Sequence, residues 1–170
     1  MRRRTTGSEH LEVTGSTELR VIEYEPRHAV AFRDLNLSWI EEYFEVEEAD
    51  HHLLLHPEEA IILPGGAILV AEDPTGVLGV CALLYLSPER YEISKMALRA
   101  DVRGRGIGHH LLLKTIVHAR GLGAEQLFLI SNTALEAAMG LYRKVGFVEV
   151  PLPSDNKYAR GNIAMEMDLS

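Results

Sequence analysis

The sequence predicts an α/β fold of the α+β type, in which a mixed, mostly antiparallel sheet carries helices on both faces. Turn signals at residues 73–76 and 87–90 separate three consecutive apolar runs, and short turns of this kind join neighbouring antiparallel strands. A glycine-rich turn and a long helical run follow the third of these strands. The chain has 170 residues, 46% of them hydrophobic, which is enough for one domain with a buried core.

The first half of the chain is predicted to contain a strand, a helical segment and a set of hairpins. Residues 19–24 alternate weakly between polar and apolar side chains, and Pro26 then stands where a helix can begin without losing a hydrogen bond. Apolar side chains are dense over residues 28–44, which predicts two short packed helices. A Pro-Gly-Gly turn leads into the next strands, which are predicted at residues 67–71, 77–86 and 91–98.

The second half of the chain is predicted to alternate helices with the remaining strands. A helix is predicted over residues 109–120, because glycines follow where the apolar pattern stops. Thr133 and Glu136 have the spacing of a capping box, which predicts the start of the last helix, and Gly146 stands where this helix can end. The remaining strands are predicted at residues 126–130, 147–150 and 162–169.

The hydropathy of the chain, which is polar over its first residues and patterned afterwards, predicts the domain organisation. Residues 1–18 are polar and without periodicity, so we predict a disordered N-terminal segment followed by a single domain over residues 19–170. Arginines open the chain, but polar residues follow them where an export signal needs an apolar stretch. No apolar run reaches the roughly 20 residues that a membrane-spanning helix needs. These observations predict a cytoplasmic protein without a membrane partner.

Charge and residue usage argue against several function classes. The formal net charge is −8 at pH 7, whereas nucleic acid binding needs clustered Lys and Arg, so we expect no nucleic acid partner. Cys81 is the single cysteine and lies within an apolar run, which predicts a buried hydrophobic residue and not a nucleophile. His52 and His56 have the spacing of two ligands on one helical turn, but Leu53 stands where the zinc protease pattern needs Glu. We therefore predict no metal site.

The glycine-rich turn RGRGIG, at residues 103–108, predicts an anion site. It lies between a strand and a helix, so the free N–H groups and the positive dipole end of the helix meet where glycine lets a ligand approach the backbone. A dinucleotide fingerprint beginning at Gly104 would need a third glycine where His109 stands, and a P-loop would need Lys after Gly108. The ligand predicted by this turn is another phosphate-bearing small molecule.

The spacing of Arg103, Gly106 and Gly108 resembles the Q/R-x-x-G-x-G/A signature of the GNAT superfamily of N-acetyltransferases. Two further segments resemble the same family: Asn132, after an apolar strand-like run, and LYRKVGF at residues 141–147. The resemblance implies the GNAT fold, in which the fourth and fifth strands splay apart, and acetyl-CoA as the co-substrate held in the gap. It implies no metal.

The resemblance also assigns residues to the acyl donor. The strand before the turn would offer main-chain hydrogen bonds to the pantetheine arm and to the developing oxyanion, and the turn would hold the pyrophosphate. Asn132 would hold the donor from the other strand, unless it caps a helix. The residues assigned in this way are Met96, Ala97, Leu98, Arg103, Gly104, Arg105, Gly106, Ile107, Gly108, His109 and Asn132.

Acetyl transfer to an amine needs a base for the ammonium and an acid for the departing thiolate. Glu92 is the candidate base, because it is a carboxylate in an otherwise apolar strand and some family members place their glutamate at this distance from the glycine turn. It could instead face solvent or pair with Lys95. Tyr142 is the candidate acid, since family tyrosines in this block point at the sulfur of coenzyme A. Its alternative role is that of a core aromatic residue.

The acceptor pocket is predicted from the first helices and the final loop, which set specificity in this family. Asn36, Trp39 and Tyr43 have the spacing of one helical face and could surround an amine by cation–π contact, although Trp39 could equally pack on the sheet. Tyr158 and Arg160 alternate in the final loop and could face the pocket together. Arg160 could bind a substrate carboxylate, unless it is a solvent-exposed loop residue.

These assignments predict an N-acetyltransferase that moves the acetyl group of acetyl-CoA to a primary amine of a small molecule by direct attack in a ternary complex. The acidic chain favours a cationic acceptor, and Arg160 would suit an amino-acid-like one. Two alternatives stay open: acetylation of a protein or peptide, and a non-catalytic sensor of acyl-CoA. The family also leads us to expect a homodimer.

Overall fold

The computed structural model describes residues 18–170, and it contains a seven-stranded sheet with helices packed on both faces. The predicted fold class is confirmed. Most of the predicted N-terminal segment, residues 1–17, lies outside the described residues. The strands are β1 (Arg20–Glu23), β2 (Ala67–Asp73), β3 (Gly76–Ser87), β4 (Arg90–Leu98), β5 (Gln126–Ser131), β6 (Val148–Val150) and β7 (Ile163–Asp168). The α-helices are α1 (Ala29–Tyr43), α2 (Glu48–Leu55), α3 (Ile107–Gly121) and α4 (Glu136–Val145).

The sheet has the order β1-β2-β3-β4-β5-β7-β6, and only the β4–β5 pair is parallel among its described strands. That pair is short: it begins at Arg90 opposite Gln126 and ends at Glu92 opposite Phe128. Beyond Glu92 the two strands diverge, so residues 93–98 of β4 have no neighbouring strand on that side within the described part of the chain. The splayed strands implied by the resemblance are present.

The strand β3 shows how the sheet separates two cores. Val80 and Ala82 point to the face covered by α1 and α2, whereas Cys81 and Leu83 point to the face covered by α3 and α4. This alternation follows from the two-residue period of a strand. Cys81 is fully buried as predicted, and burial raises the pKa of its thiol to about 12, so it is not a thiolate near neutral pH.

Two sequence-based predictions of local structure are wrong. The apolar segment 28–44 forms one 15-residue helix, α1, and not two short ones, because it contains no Gly or Pro and its side chains contact both the sheet and a cleft. The predicted capping box does not form: α4 begins at Glu136, and the Thr133 N–H donates to Asn162 Oδ1. The predicted helix end is confirmed, since Gly146 has φ 115°.

Among residues 18–170, no helix combines the length and the apolar character that crossing a membrane requires.

Candidate active site

A cleft of about 500 Å³ opens where β4 and β5 diverge. Of the residues assigned to a site from the sequence, Arg105 and Ile107 do not line this cleft. One cavity therefore brings together the glycine turn, the free edge of β4, the first helix and the final loop. The assigned residues that line it are Asn36, Trp39, Tyr43, Glu92, Met96, Ala97, Leu98, Arg103, Gly104, Gly106, Gly108, His109, Asn132, Tyr142, Tyr158 and Arg160.

The glycine turn presents backbone donors to one end of the cleft. Gly104 and Gly106 have φ of +79° and +80°, and a Cβ at either position would meet no atom of residues 18–170 within 4 Å, so these residues leave the space above the turn open. Gly106 is the N-cap of α3, and the N–H groups of residues 104–109 donate to no described residue. Free donors at the positive end of a helix attract an anion.

Two arginines flank this turn in different ways. Arg103 lines the cleft, and its Nη1 donates to Glu42 Oε2 at 2.8 Å, which ties the turn to the end of α1. Arg105 is exposed and lies outside the cleft lining. Arg105 can therefore contribute only a long-range electrostatic attraction to an anion at this turn, and dissolved salt screens that attraction.

A β-bulge shapes the edge of β4 that faces the cleft. Val80 pairs with Ala97 and Ala82 with Ser94, so Cys81 of β3 stands opposite two residues of β4. One of these two is Lys95, whose φ of +50° is the only positive value among described non-glycine residues. Bulges re-aim side chains and end strand pairing, and this one turns the Lys95 side chain towards α2.

Glu92 lies at the point where β4 and β5 separate. Its side chain is partly buried, lines the cleft and makes no hydrogen bond to a described residue. Burial raises its pKa above the ordinary value, against the opposing positive charges of Lys95, Lys157 and Arg90. A carboxylate with a raised pKa at the end of a cleft is suited to act as a general base near neutral pH.

Tyr142 reaches the same cleft from α4. Its ring packs edge-on against Phe147, with ring centroids 5.9 Å apart, and its hydroxyl has no hydrogen-bond partner among the described residues. Burial, with a smaller contribution from the neighbouring Cys81, raises the pKa of the phenol above its usual value. The hydroxyl is therefore protonated at neutral pH and can donate a hydrogen bond into the cleft.

The α1 wall of the cleft is aromatic. Trp39 and Tyr43 stand side by side with ring centroids 5.7 Å apart, and Asn36 lies beside them. The Asn36 Nδ2 donates to the Phe32 carbonyl oxygen, whereas its Oδ1 accepts no hydrogen bond from a described residue. π faces and an open amide oxygen are both suited to a cation or an N–H donor.

The final loop supplies Tyr158 and Arg160, and Arg160 is already engaged. Its two Nη atoms donate to the two carboxylate oxygens of Asp50, at 2.8 and 2.6 Å, and Nη1 also donates to Glu47. The carboxylate that Arg160 binds in this structure is thus one of the protein's own. The Asn132 side chain is also engaged, because it donates to the Arg160 carbonyl oxygen and accepts from the Ala134 N–H.

Sequence reasoning missed Asp50 and Lys95, which are both buried in this region. Lys95 donates to Asp50 Oδ1 and to the Tyr158 hydroxyl oxygen, and Asp50 is fully buried. The available signal is a lysine within an apolar strand, for which the sequence suggests only a pairing with Glu92. Nothing local in α2 marks Asp50 as different from the acidic residues around it.

Comparisons with known proteins agree with this architecture. The family model described as the acetyltransferase (GNAT) family matches residues 32–147. The chain is 36% identical over 77 residues to the N-alpha-acetyltransferase RimI of Mycobacterium tuberculosis, covering 45% of this chain and 47% of that protein. It is 30% identical over 98 residues to the uncharacterised N-acetyltransferase YvbK of Bacillus subtilis, covering 56% and 63%. The matches therefore span less than two thirds of these curated relatives.

Solved structures share the fold at low sequence identity. A GNAT-family acetyltransferase from Staphylococcus aureus superposes with a TM-score of 0.81 at 22% identity, over 90% of this chain and all of that one. The yncA protein of Salmonella typhimurium, solved with its cofactor acetyl-CoA, superposes with a TM-score of 0.71 at 18% identity, over 90% and 95% of the two chains.

Proposed function

The chain belongs to the GNAT acetyltransferase family, and we propose that it transfers an acetyl group from acetyl-CoA to the primary amine of a small molecule. One observation carries the proposal: a single cleft has an open glycine turn at one end and, in its wall, the Glu92 carboxylate, which makes no hydrogen bond to a described residue. The first suits the phosphates of a coenzyme A thioester, and the second suits the deprotonation of an ammonium group.

The donor end fits acetyl-CoA by the chemistry of its groups. Free N–H groups at residues 104–109 suit a pyrophosphate, and the open space above Gly104 and Gly106 leaves room for it. The free edge of residues 93–98 in β4 suits the amides of a pantetheine arm, since a strand edge offers N–H and C=O groups. When bound, acetyl-CoA supplies the activated acetyl group. The yncA protein of Salmonella typhimurium, which shares the fold, was solved with acetyl-CoA, and this supports acetyl-CoA as the co-substrate.

The roles of the side chains follow from their protonation states. Glu92, directly or through a water, removes a proton from the acceptor ammonium, and the amine nitrogen then attacks the thioester carbonyl carbon. A backbone N–H near Met96 stabilises the oxygen on which negative charge develops. As the new C–N bond forms and the C–S bond breaks, Tyr142 donates its proton to the leaving sulfur, and the second proton that the attacking nitrogen loses passes to the tyrosinate and restores the phenol.

A contact between the final loop and the start of α2 favours a small amine over a long peptide as the acceptor. Arg160 of the final loop binds Asp50 and Glu47 at the start of α2, and Glu47 also accepts from the Ala159 N–H at 2.9 Å. We infer that this bridge leaves less room for an extended peptide beside the acceptor end of the cleft. Peptide acetylation is the second candidate, because the relative from Mycobacterium tuberculosis is an N-alpha-acetyltransferase.

The proposed function is tested by thiol release from acetyl-CoA over a panel of amino acids, amino amides, polyamines, aminosugars and short peptides. We expect turnover with one class of small amine. Turnover confined to peptides would favour the second candidate. Binding of acetyl-CoA without turnover of any amine would contradict an enzymatic role and favour a sensor.

Removal of the Tyr142 hydroxyl tests the proposed acid. Tyr142→Phe keeps the ring that packs on Phe147 but removes the proton donor, so we expect kcat to fall by roughly 10²-fold while the Kd for acetyl-CoA stays unchanged. Steady-state kinetics and calorimetry measure the two quantities. Tyr85→Phe is the matched control, since Tyr85 is exposed on β3 and does not line the cleft. An unchanged kcat in Tyr142→Phe would remove this role.

A further inference from the structure

The position of Lys95 combines an unfavourable backbone conformation with a buried charge. Its φ of +50° is one that residues with a Cβ rarely adopt, and its side chain is only 4% exposed. Its counter-ion, Asp50, has a fully buried side chain. A buried ion pair is weak evidence for stability, because desolvation offsets much of the attraction. Strain and buried charge at one cleft residue point to a functional requirement.

The contacts of Lys95 show what its ammonium holds in place. The Nζ atom donates to Asp50 Oδ1 at 2.5 Å and to the Tyr158 hydroxyl oxygen at 3.1 Å, and it lies 4.5 Å from the centroid of the Tyr158 ring. The Arg160 Cζ atom lies 4.6 Å from the centroid of the same ring. Tyr158 is therefore fixed by two cations, both of which are bound to Asp50.

The direction of these hydrogen bonds determines what Tyr158 can offer a ligand. An ammonium has only donors, so the Tyr158 oxygen accepts from Lys95 and its own O–H must donate elsewhere. No described residue accepts from that O–H, and Tyr158 lines the cleft. The hydroxyl is thus a fixed donor at the acceptor end, and its complement is an oxygen that accepts a hydrogen bond.

We propose that Lys95, held by Asp50, is a positioning residue that orients the Tyr158 hydroxyl, and that the preferred acceptor is an amine that also carries a hydrogen-bond-accepting oxygen. Amino amides and amino alcohols belong to this class, whereas plain alkylamines and polyamines do not. The inference rests on the proposed function for the identity of the acceptor, but it concerns binding and can be tested without turnover.

The test compares two amines of the same shape, L-alaninamide and 3-methyl-2-butylamine, in which methyl groups replace the amide. Dissociation constants are measured with coenzyme A present, by NMR of protein labelled at the tyrosine ring carbons. We expect the wild type to prefer L-alaninamide, and we expect Lys95→Met and Tyr158→Phe each to reduce this preference by about 2- to 10-fold, the effect of one lost hydrogen bond. Lys114→Met is the control, since Lys114 is exposed on α3.

The outcomes separate positioning from a general structural role. A loosened cleft would weaken both amines equally and leave their ratio unchanged, which would overturn the inference. A wild type without preference for L-alaninamide would overturn it too. If Lys95→Met does not fold, Tyr158→Phe still decides whether the hydroxyl selects an oxygen-bearing amine, and Lys95→Gln replaces Lys95→Met as the test of positioning. Absence of thiol release from the wild type would instead count against the proposed function, because these binding ratios do not depend on catalysis.

Discussion

Glu92→Gln is expected to lower kcat by about 10²-fold or more, because the amide has nearly the same shape as the carboxylate but cannot accept a proton. Glu92 lines the cleft where β4 and β5 separate and has no hydrogen-bond partner among the described residues, so its substitution removes the charge without breaking a hydrogen bond to them. The Kd for acetyl-CoA should stay unchanged. Single-turnover and steady-state kinetics with the best acceptor of the panel measure the effect.

The pH dependence of kcat/KM gives a second test of the role of Glu92. Burial raises the pKa of Glu92, so the base is protonated and inactive below that raised value and active above it. The kcat/KM of the wild type should therefore fall with decreasing pH through a pKa above that of an ordinary glutamate. Glu89→Gln, at an exposed turn, should keep this fall of kcat/KM at low pH, whereas Glu92→Gln should lose it. Full activity of Glu92→Gln would assign the base to a water chain.

Asp50→Asn is expected to reduce the free energy of unfolding by about 3 to 5 kcal/mol, the range for breaking a buried ion pair from one side. Asp50 is fully buried and is the shared counter-ion of Lys95 and Arg160, so the amide leaves Lys95 without its ion-pair partner and Arg160 with Glu47 alone. Urea unfolding measures the change. Asp101→Asn is the matched control, because the Asp101–Arg99 pair is exposed and should contribute less than about 1 kcal/mol. Equal effects of the two substitutions would contradict this account.

The same pair predicts how stability changes in acid. Burial alone would raise the pKa of Asp50, but the hydrogen bonds from Arg160 and Lys95 outweigh it and lower the pKa from 3.8 to about 2. Because the native pKa lies below the unfolded one, this contribution is fully present above about pH 4 and is lost as the pH falls towards 2. Unfolding curves of Asp50→Asn should lack this part of the pH dependence.

The local sequence was sufficient for the features that one short segment can encode. The glycines of residues 103–108 predicted an anion site because their conformational freedom and the helix that follows are properties of consecutive residues. Turn signals placed β2, β3 and β4 correctly for the same reason. The sequence predicts two helices over residues 28–44 where the structure has one, since the apolar density arises from a single helix that contacts both the sheet and the cleft.

The sequence by itself determined the family and the sheet class and predicted the residues of a donor end, because each rests on motifs and periodicity within a few consecutive residues. Tertiary structure alone decided the contacts among Asp50, Lys95 and Arg160. Lys95 and Arg160 meet Asp50 from 45 and 110 residues away, and a bulge re-aims the Lys95 side chain towards α2. Arg160 therefore binds an internal carboxylate where the sequence suggested a substrate. No spacing in the sequence predicts contacts between residues this far apart, because the folding of the chain and not a local period brings these buried charges together.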